Sequence, residues 1–292
     1  MVHKPRLNKL IQLLEEGKPA FGTFVANGNL DGLDTVTDAG YDFVIIENEH
    51  KGMHFTDLRI SLQFFLNRKK VSSQGNLQAD PTPLVRISPN AEEIANNQWV
   101  LKQTLDHGPY GIVLPRLETV EAAKAAVIAS RYSQIHDARD KDPVGERGWS
   151  PGMAARYWGL SVPEYYKTAD LWPLDPEGEL LLMAICESVK GIQNLPDILN
   201  EVKGIGMVLA GPGDMSVSMG VGTDTQSSQV QEGLLRTLEI CKQYGVPCAT
   251  NAVTPEAIDM RISQGFSAFI TYADIVNPAL THGISKRRVE LS

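Results

Sequence analysis

The sequence has no excess of basic residues, no long apolar run and few cysteines. Its 292 residues include 27 Lys and Arg against 35 Asp and Glu, which gives a net charge of −8. Because nucleic-acid binding requires clustered cations that neutralise phosphates, we expect no nucleic-acid partner. No apolar run approaches the roughly 20 residues that span a bilayer, so we expect no membrane partner. The three cysteines lack metal-type spacing and predict reduced thiols.

The first residues also lack the pattern of a secretion signal. Residues 1–18 have the periodicity of an amphipathic helix, with charged and apolar positions interleaved. Together with the reduced thiols, this pattern leads us to expect a cytoplasmic protein.

What the chain does contain is a regular alternation of strand and helix. Eight short runs rich in Val, Ile, Leu and Phe are each followed by a segment with helical periodicity. The predicted strands are 21–26, 43–47, 84–87, 112–115, 180–187, 206–210, 247–252 and 266–273. Eight such units in about 250 residues predict one (β/α)₈ barrel that spans residues 1–292 as a single domain.

A doubly wound open sheet is the alternative fold. It is disfavoured because no glycine-rich phosphate-binding turn follows the first strand, where Asn27-Gly28-Asn29 indicates a simple turn. Two segments interrupt the alternation, a polar loop predicted over 72–83 and the long stretch 133–179. Because segments of that length usually cover a site or form an insertion, we expect one of these roles for 133–179, with a helix near Val162–Thr168.

Two carboxylates lie where barrel enzymes place their chemistry, at the carboxyl ends of strands. Glu187 ends the fifth predicted strand and Asp214 follows the sixth, so both side chains could reach one divalent cation. Carboxylate and water ligands favour Mg²⁺, with Mn²⁺ or Co²⁺ as alternatives. A salt bridge for Glu187 and a helix N-cap role for Asp214 are the competing interpretations.

Two further charged positions lie at neighbouring strand ends. Arg86 is the only charge in the third strand, where its guanidinium could clamp a substrate carboxylate or pair with Glu47. His50 follows Glu47 and Glu49 at the end of the second strand, and it could transfer protons near neutral pH. A histidine at such a position can also be a satisfied polar residue with no catalytic role.

Several short stretches carry a family resemblance that is specific through their order and spacing. They are Asp42–His50, Val85–Arg86, Thr104–Gly108, Gly111–Pro115, Ser130–Tyr132, Gly145–Gly148, Glu187–Ser188 and Gly211–Ser216. Together they resemble the HpcH/HpaI aldolase family, the class II pyruvate aldolases related to the citrate lyase β subunit, and within it the macrophomate synthase-like fungal members. The resemblance covers residues 22–273 and implies a barrel of the phosphoenolpyruvate/pyruvate-domain type.

The resemblance implies a role for each of these charged residues. Glu187 and Asp214 match the metal ligands, and Arg86 matches the arginine that binds the pyruvate carboxylate and the developing enolate oxygen. His50 matches the histidine of the proton-transfer machinery, beside the acid at position 47. Asp106 matches an aspartate that one subunit supplies to the neighbouring site.

The resemblance also assigns substrate binding and assembly. The backbone of Gly211, Pro212, Gly213 and Asp214 matches a segment that holds the substrate carboxylate at a helix N-terminus. Family members are commonly hexamers, or trimers of dimers, that exchange a C-terminal helix, so we expect a homo-oligomer with that exchange.

Four departures from the family pattern concern the proton-transfer site and the second substrate. Glu47 stands where the family usually has Asp, and Ile185 stands where it usually has Gln. Arg116 replaces an apolar residue after Leu114-Pro115, and 135–143 has the length of an insertion. The pyruvate half of the reaction is therefore better defined by the resemblance than the electrophile.

The resemblance implies metal-dependent aldol or retro-aldol chemistry on 2-oxo acids through a pyruvate enolate, with pyruvate and an aldehyde as small-molecule partners. An alternative is decarboxylation of oxaloacetate to the same enolate, as in macrophomate synthase. A non-catalytic ligand-binding barrel is a second alternative, motivated by the changes at Glu47 and Ile185. A CoA-thioester lyase is disfavoured because the sequence shows no basic groove for a nucleotide.

Overall fold

The structure is a computed structural model that describes residues 5–134, 142–272 and 277–289, with side chains to Arg287. Its strands are β1 Ala20–Ala26, β2 Phe43–Glu47, β3 Thr82–Arg86, β4 Gly111–Leu114, β5 Leu171–Trp172, β6 Leu180–Cys186, β7 Met207–Ala210, β8 Cys248–Asn251 and β9 Ala268–Ile270. Its helices are α1 Lys9–Glu15, α2 Leu30–Asp38, α3 Phe55–Gln63, α4 Arg68–Gln74, α5 Gln98–Asp106, α6 Val120–Ser130, α7 Gly152–Trp158, α8 Val162–Thr168, α9 Val189–Glu201, α10 Pro212–Ser218, α11 Ser228–Tyr244, α12 Pro255–Gln264 and α13 Pro278–Val289, with a 3₁₀ helix at Ala91–Asn96. Within these ranges, no helix is both long and apolar enough to cross a membrane.

Eight of the strands form a closed parallel barrel. They are hydrogen-bonded in the order β4-β3-β2-β1-β9-β8-β7-β6, and β6 pairs with β4 to complete the ring. The ninth strand, β5, pairs with the first two residues of β6 at the amino-terminal end. Closure confirms the (β/α)₈ barrel, and it excludes the open doubly wound sheet.

All eight predicted strands are confirmed, with ends that differ by up to three residues. The helix expected at Val162–Thr168 is α8. The predicted loop at 72–83 instead begins inside α4, a helix that buries none of its residues and therefore carries no apolar stripe. Its ends follow cap signals, because Asn67 accepts a hydrogen bond from the Lys70 amide and Gly75 ends the helix in the left-handed conformation.

Side chains alternate between two apolar layers along each barrel strand. In β2, Phe43 and Ile45 point into the barrel, whereas Val44 and Ile46 face the surrounding helices. Leu10 and Ile11 of α1 are fully buried in the same inner cluster. Asn8, the N-cap of α1, donates to the carbonyls of Tyr110 and Glu179, which directly precede β4 and β6, so α1 closes the amino-terminal end of the barrel and leaves the carboxyl ends open. The free cysteines are all buried: Cys186, Cys241 and Cys248.

The described part of the long segment, 142–179, packs around the amino-terminal half of the barrel. Trp158 stacks on Tyr110, which precedes β4, at 4.3 Å between ring centroids, and its indole N–H donates to the carbonyl of Gly108. Arg131 and Asp170 form a buried bidentate pair at 2.6 and 2.8 Å. These contacts lie at the end opposite to the strand carboxyl ends, so this part of the segment braces the barrel rather than covering the site.

The C-terminal helix α13 packs on its own barrel, against α12 and β1. A Cβ at Gly283 would lie 2.3 Å from the Phe21 ring, so the close approach of α13 to β1 requires glycine. Residues 273–276, which precede Asn277 and α13, lie outside the described ranges. Exchange of α13 between subunits and the hexameric assembly stay predictions.

A buried carboxylate joins α1 and α13 to the barrel. Asp42 is fully buried, accepts a hydrogen bond from the Phe21 amide at 2.9 Å, and lies 3.1 Å from the Lys9 ammonium and 2.8 Å from the Arg287 guanidinium. Asp42→Asn removes the charge that compensates these cations and should lower the free energy of unfolding by about 3 kcal/mol. Chemical denaturation measures this change directly.

The matched control is an exposed aspartate that faces the same helix. Asp259 contacts His282 and Lys286 of α13 at 2.9 and 3.1 Å but lies at the surface. Asp259→Asn should leave the denaturation midpoint nearly unchanged, because exposed pairs are solvated and screened. Equal losses in the two variants would contradict the role assigned to Asp42.

Candidate active site

Arg86 and Glu47 lie side by side at the carboxyl ends of β3 and β2. They are register partners in the barrel, and the Arg86 Nε donates to Glu47 Oε2 at 2.7 Å. The Nη1 of Arg86 lies 3.1 Å from Glu49 Oε2, and the guanidinium stacks over the Phe24 ring at 4.8 Å. Of the two interpretations of Arg86, the pairing with Glu47 is present, and the guanidinium is fixed at the mouth of the barrel.

Glu47 also shapes the turn that carries His50. Its Oε1 accepts hydrogen bonds from the backbone amides of Glu49 at 2.6 Å and His50 at 3.2 Å. The imidazole of His50 is 62% exposed and its Nε2 lies 3.5 Å from Glu49 Oε2. One carboxylate therefore positions both the guanidinium and the backbone of the candidate proton-transfer residue.

Glu187 follows β6 directly and is buried at the same end. Its Oε1 accepts a hydrogen bond from the backbone N–H of Arg116 at 2.8 Å, rather than from the salt-bridge partner considered from sequence. Burial, and next the negative charge of Asp214, raise the pKa of Glu187 to about 7. Its desolvated carboxylate therefore lies in an environment that favours a cation or a proton.

Asp214 lies on the neighbouring strand-end segment. It is exposed in the first turn of α10, whose N-cap is Gly211, so the N-cap interpretation of Asp214 is wrong. Its charge acts on both Glu187 and Glu49, raising their pKa values. A Cβ at Gly211 would lie 3.3 Å from Glu187 Oε2, so glycine lets this segment pass close to the carboxylate.

The acidic side chains here fit a divalent cation. Burial raises the pKa of Glu49, although the Arg86 guanidinium lies 3.1 Å from its Oε2. No group of three or more His, Cys, Asp or Glu side chains in the described ranges has metal-binding geometry. Two carboxylates, Glu187 and Asp214, with water or substrate oxygens completing the shell, match the way proteins usually hold Mg²⁺.

Asp106 lies elsewhere in the chain, at the end of α5. Its Oδ1 accepts a hydrogen bond from Arg147 Nη2 at 3.0 Å, and burial raises the pKa of Asp106 more than Arg147 lowers it. Arg147 in turn stacks on the Tyr132 ring at 4.4 Å. The structure therefore does not bring Asp106 to the mouth of its own barrel, and its role across a subunit interface stays a prediction.

Sequence reasoning missed two features at the mouth. Arg116 has a left-handed backbone, φ 50°, and it supplies the amide that binds Glu187. Asn251 ends β8 and donates to the Tyr272 hydroxyl, after β9, at 3.1 Å. Arg116 follows an apolar run almost directly, whereas Asn251 and Tyr272 lie inside the predicted strands 247–252 and 266–273, and nothing in the sequence specifies either contact.

A closed parallel barrel with carboxylates and an arginine gathered at the strand carboxyl ends has the form of a (β/α)₈-barrel enzyme. Residues 20–268 match the model of the HpcH/HpaI aldolase/citrate lyase family, and the chain belongs to this family. The family resemblance is thereby confirmed, and the chain is a carbon–carbon lyase rather than a non-catalytic barrel.

Individual relatives agree with this assignment. A hydroxypyruvate/pyruvate aldolase of Paraburkholderia phytofirmans is 30% identical over 257 residues, covering 87% of this chain and 84% of that protein. The structure of an HpcH/HpaI aldolase/citrate lyase family protein from Burkholderia cenocepacia J2315 has a TM-score of 0.73 at 23% identity, covering 97% and 99% of the two chains. Macrophomate synthase has a TM-score of 0.66 at 23% identity, covering 97% and 89%. These two structures show the shared fold.

The raised pKa of Glu187 predicts a pH dependence of stability in metal-free protein. A folded-state pKa near 7, above the usual value of 4.5, means that the folded protein holds the proton more tightly. Its contribution to stability is therefore lost as pH rises from about 4.5 through about 7. Between pH 5 and 7.5, the free energy of unfolding of chelator-treated wild type should fall by about 2 kcal/mol more than that of Glu187→Gln. Urea denaturation at the two pH values measures both changes. Parallel pH profiles would contradict the raised pKa.

Proposed function

We propose that the chain is a divalent-metal-dependent aldolase that makes or cleaves a carbon–carbon bond of 2-oxo acids through a pyruvate enolate. The observation that carries this proposal is the buried Glu187, with a pKa near 7, beside Asp214 and opposite the paired Arg86. The similarity to a hydroxypyruvate/pyruvate aldolase over 87% of the chain supports the same substrate class.

Glu187 and Asp214 are the residues that would hold the ion. A bound divalent ion supplies polarisation of the 2-oxo group and stabilisation of negative charge on its oxygen. Arg86 adds a second positive group for that oxygen or for the adjacent carboxylate. Because Glu47 and Glu49 already contact Arg86, its guanidinium needs no reorientation when charge develops on the substrate.

The substrate carboxylate would bind the start of α10. The backbone of Gly211, Pro212, Gly213 and Asp214 begins that helix, and its first amides have no intrahelical acceptor. No neighbour lies within 4 Å of a Cβ built on Gly213, so a ligand can approach the backbone there. Free amides near an open surface are suited to a carboxylate.

His50 would move the proton of the bond that breaks. In cleavage, the C4 hydroxyl of a 4-hydroxy-2-oxo acid gives its proton to His50 Nδ1, the ring nitrogen that does not face Glu49, as the C4 carbonyl forms. The electrons of the C3–C4 bond move onto the 2-oxo oxygen, which gives the pyruvate enolate, and protonation at C3 then yields pyruvate. Glu49, 3.5 Å from Nε2, orients the imidazole for this transfer.

The proposal extends to assembly. A homo-oligomer, as a hexamer or a trimer of dimers, would let Asp106 complete the site of a neighbouring subunit. The contact with Arg147 supports this role because it fixes the orientation of a carboxylate that is not fully buried in its own subunit. The expected location of the enzyme is the cytoplasm, and this stays a prediction from the sequence.

Metal dependence is the first test. Pyruvate release from 4-hydroxy-2-oxo acids and from oxaloacetate should be abolished by EDTA and restored by Mg²⁺, Mn²⁺ or Co²⁺. Glu187→Gln and Asp214→Asn should each weaken Mg²⁺ binding at least tenfold in calorimetry, whereas Asp259→Asn should not. If EDTA-treated and Mg²⁺-supplied protein behave identically on both substrates, the metal proposal fails. The ratio of the two rates decides between aldol cleavage and decarboxylation.

The role of Arg86 is tested by Arg86→Lys. Lysine keeps the charge but cannot contact Glu47, Glu49 and a substrate oxygen with one planar group. We expect kcat for pyruvate release to fall by about 10²–10³, the usual loss of one preorganised donor to a developing oxyanion. Mg²⁺ affinity should be retained, because Arg86 binds no ion. An unchanged kcat would assign Arg86 a structural role through Glu47.

A further inference from the structure

The loop after β4 holds Arg116 in a strained and fixed position. Its φ of 50° is rarely adopted by a residue with a side chain and costs about 1–2 kcal/mol. Every residue of the loop is hydrogen-bonded through its backbone. The bonds are Ala91 N to Pro115 O at 2.9 Å, Arg116 N to Glu187 Oε1 at 2.8 Å, Leu117 N to Ile185 O at 3.0 Å and Glu118 N to Glu92 Oε1 at 3.2 Å.

These contacts place a long cationic side chain beside the proposed metal ligand. The Arg116 amide donates a hydrogen bond to the Glu187 carboxylate, so the Cα of Arg116 is fixed next to the proposed site of bond making and breaking. The side chain is half exposed at the mouth of the barrel. A small substrate held at Glu187 and Asp214 therefore has its far end within reach of this guanidinium.

The protein orients the Arg116 guanidinium through one of its donors and leaves the other donors available for a ligand. Its Nε donates to Glu118 Oε1 at 3.1 Å, and in the described part of the chain its terminal amino groups have no acceptor. Glu118 is shared, because it also accepts from the Ser188 hydroxyl at 2.7 Å and lies 3.3 Å from the Lys190 ammonium. One carboxylate thus faces two cations, and the terminal amino groups of Arg116 remain for an anion.

The charges at the mouth are therefore separated. The acidic side chains at the proposed ion position are Glu187, directly after β6, and Asp214 in α10, whereas Arg116 and Lys190 lie beside Glu118 at the edge between β4 and α9. A monoanionic 2-oxo acid would engage only the first region, through its single carboxylate. A substrate with a second carboxylate at the opposite end matches both regions.

From this arrangement we infer that Arg116 determines specificity for a second substrate that carries a carboxylate. The electrophile that the enolate attacks, or the carbonyl fragment released in cleavage, is an oxo acid rather than a neutral aldehyde. This inference rests on the proposed function and names the substrate class of its second half. Arg116 binds the distal carboxylate and takes no part in the bond change.

The test compares acids with their uncharged esters in aldol addition of pyruvate. Glyoxylate and 4-oxobutanoate are paired with methyl glyoxylate and methyl 4-oxobutanoate, which keep the carbon skeleton and remove the charge. Wild type should prefer each acid at least tenfold in kcat/KM, and added salt should raise KM for the acids because it screens the pairing. Calorimetry with 4-oxobutanoate gives a second measurement, independent of turnover.

The informative variant is Arg116→Gly. Glycine adopts the left-handed conformation without strain and keeps the N–H that binds Glu187, so the change removes the guanidinium alone. The acid-to-ester ratio should fall at least tenfold, mainly through KM for the acid. Arg116→Lys should retain part of the preference, and Mg²⁺ affinity should be unchanged in both variants. Arg236→Ala, which removes an exposed arginine of α11, is the control.

Two failures can be distinguished. If wild type adds pyruvate to acids and esters equally well, or if Arg116→Gly keeps the wild-type ratio, the assignment of Arg116 is overturned while the aldolase proposal stands. If wild type with Mg²⁺ consumes pyruvate with none of the four compounds and releases none from 4-hydroxy-2-oxo acids, the proposed function itself fails.

Discussion

The mutual repulsion of carboxylates at one end of the barrel is the constraint on which the rest of the site depends. Glu47, Glu49, Glu187 and Asp214 interact there, and three of them are largely buried. Desolvated carboxylates are costly unless they are paired, protonated or bound to a metal. Glu47 is compensated by Arg86, but Glu187 has a pKa near 7. The negative charge that the barrel gathers at this end is therefore stabilised by positive groups, which a divalent ion and the Arg86 guanidinium can supply.

Much of the fold was predictable because parallel barrel strands are buried on both faces and appear as nearly continuous apolar runs. All eight runs are strands, and the helix over Val162–Thr168 is exact because Ser161 and Glu164 form a capping box. The elements that escaped prediction carry no such pattern. α4 buries no residue, and β5 has only two residues, so neither could be recognised from apolar periodicity.

The site was predictable to the level of position but not of contact. Strand ends meet at one edge of a barrel, so Glu187, Asp214, Arg86 and Glu47 were expected to lie together. What sequence does not specify is which oxygen accepts which hydrogen, because this depends on side-chain conformation and on neighbours distant in the chain. The two oxygens of Glu47 illustrate this: one accepts from Arg86, and the other accepts from backbone amides of the following turn.

Two departures from the family pattern act on the same carboxylate. Ile185 is buried in the inner apolar cluster and its Cγ2 lies near Gly211, so it contributes apolar surface beside Glu187 where a glutamine would offer an amide. In the described ranges, the Arg116 N–H is the hydrogen-bond donor that Glu187 retains. Greater desolvation with one donor raises the pKa of Glu187 and increases its preference for a cation. The same backbone contact fixes Arg116 at the mouth, so the loss of a polar group inside the barrel and the gain of a cation at its edge are physically linked through Glu187.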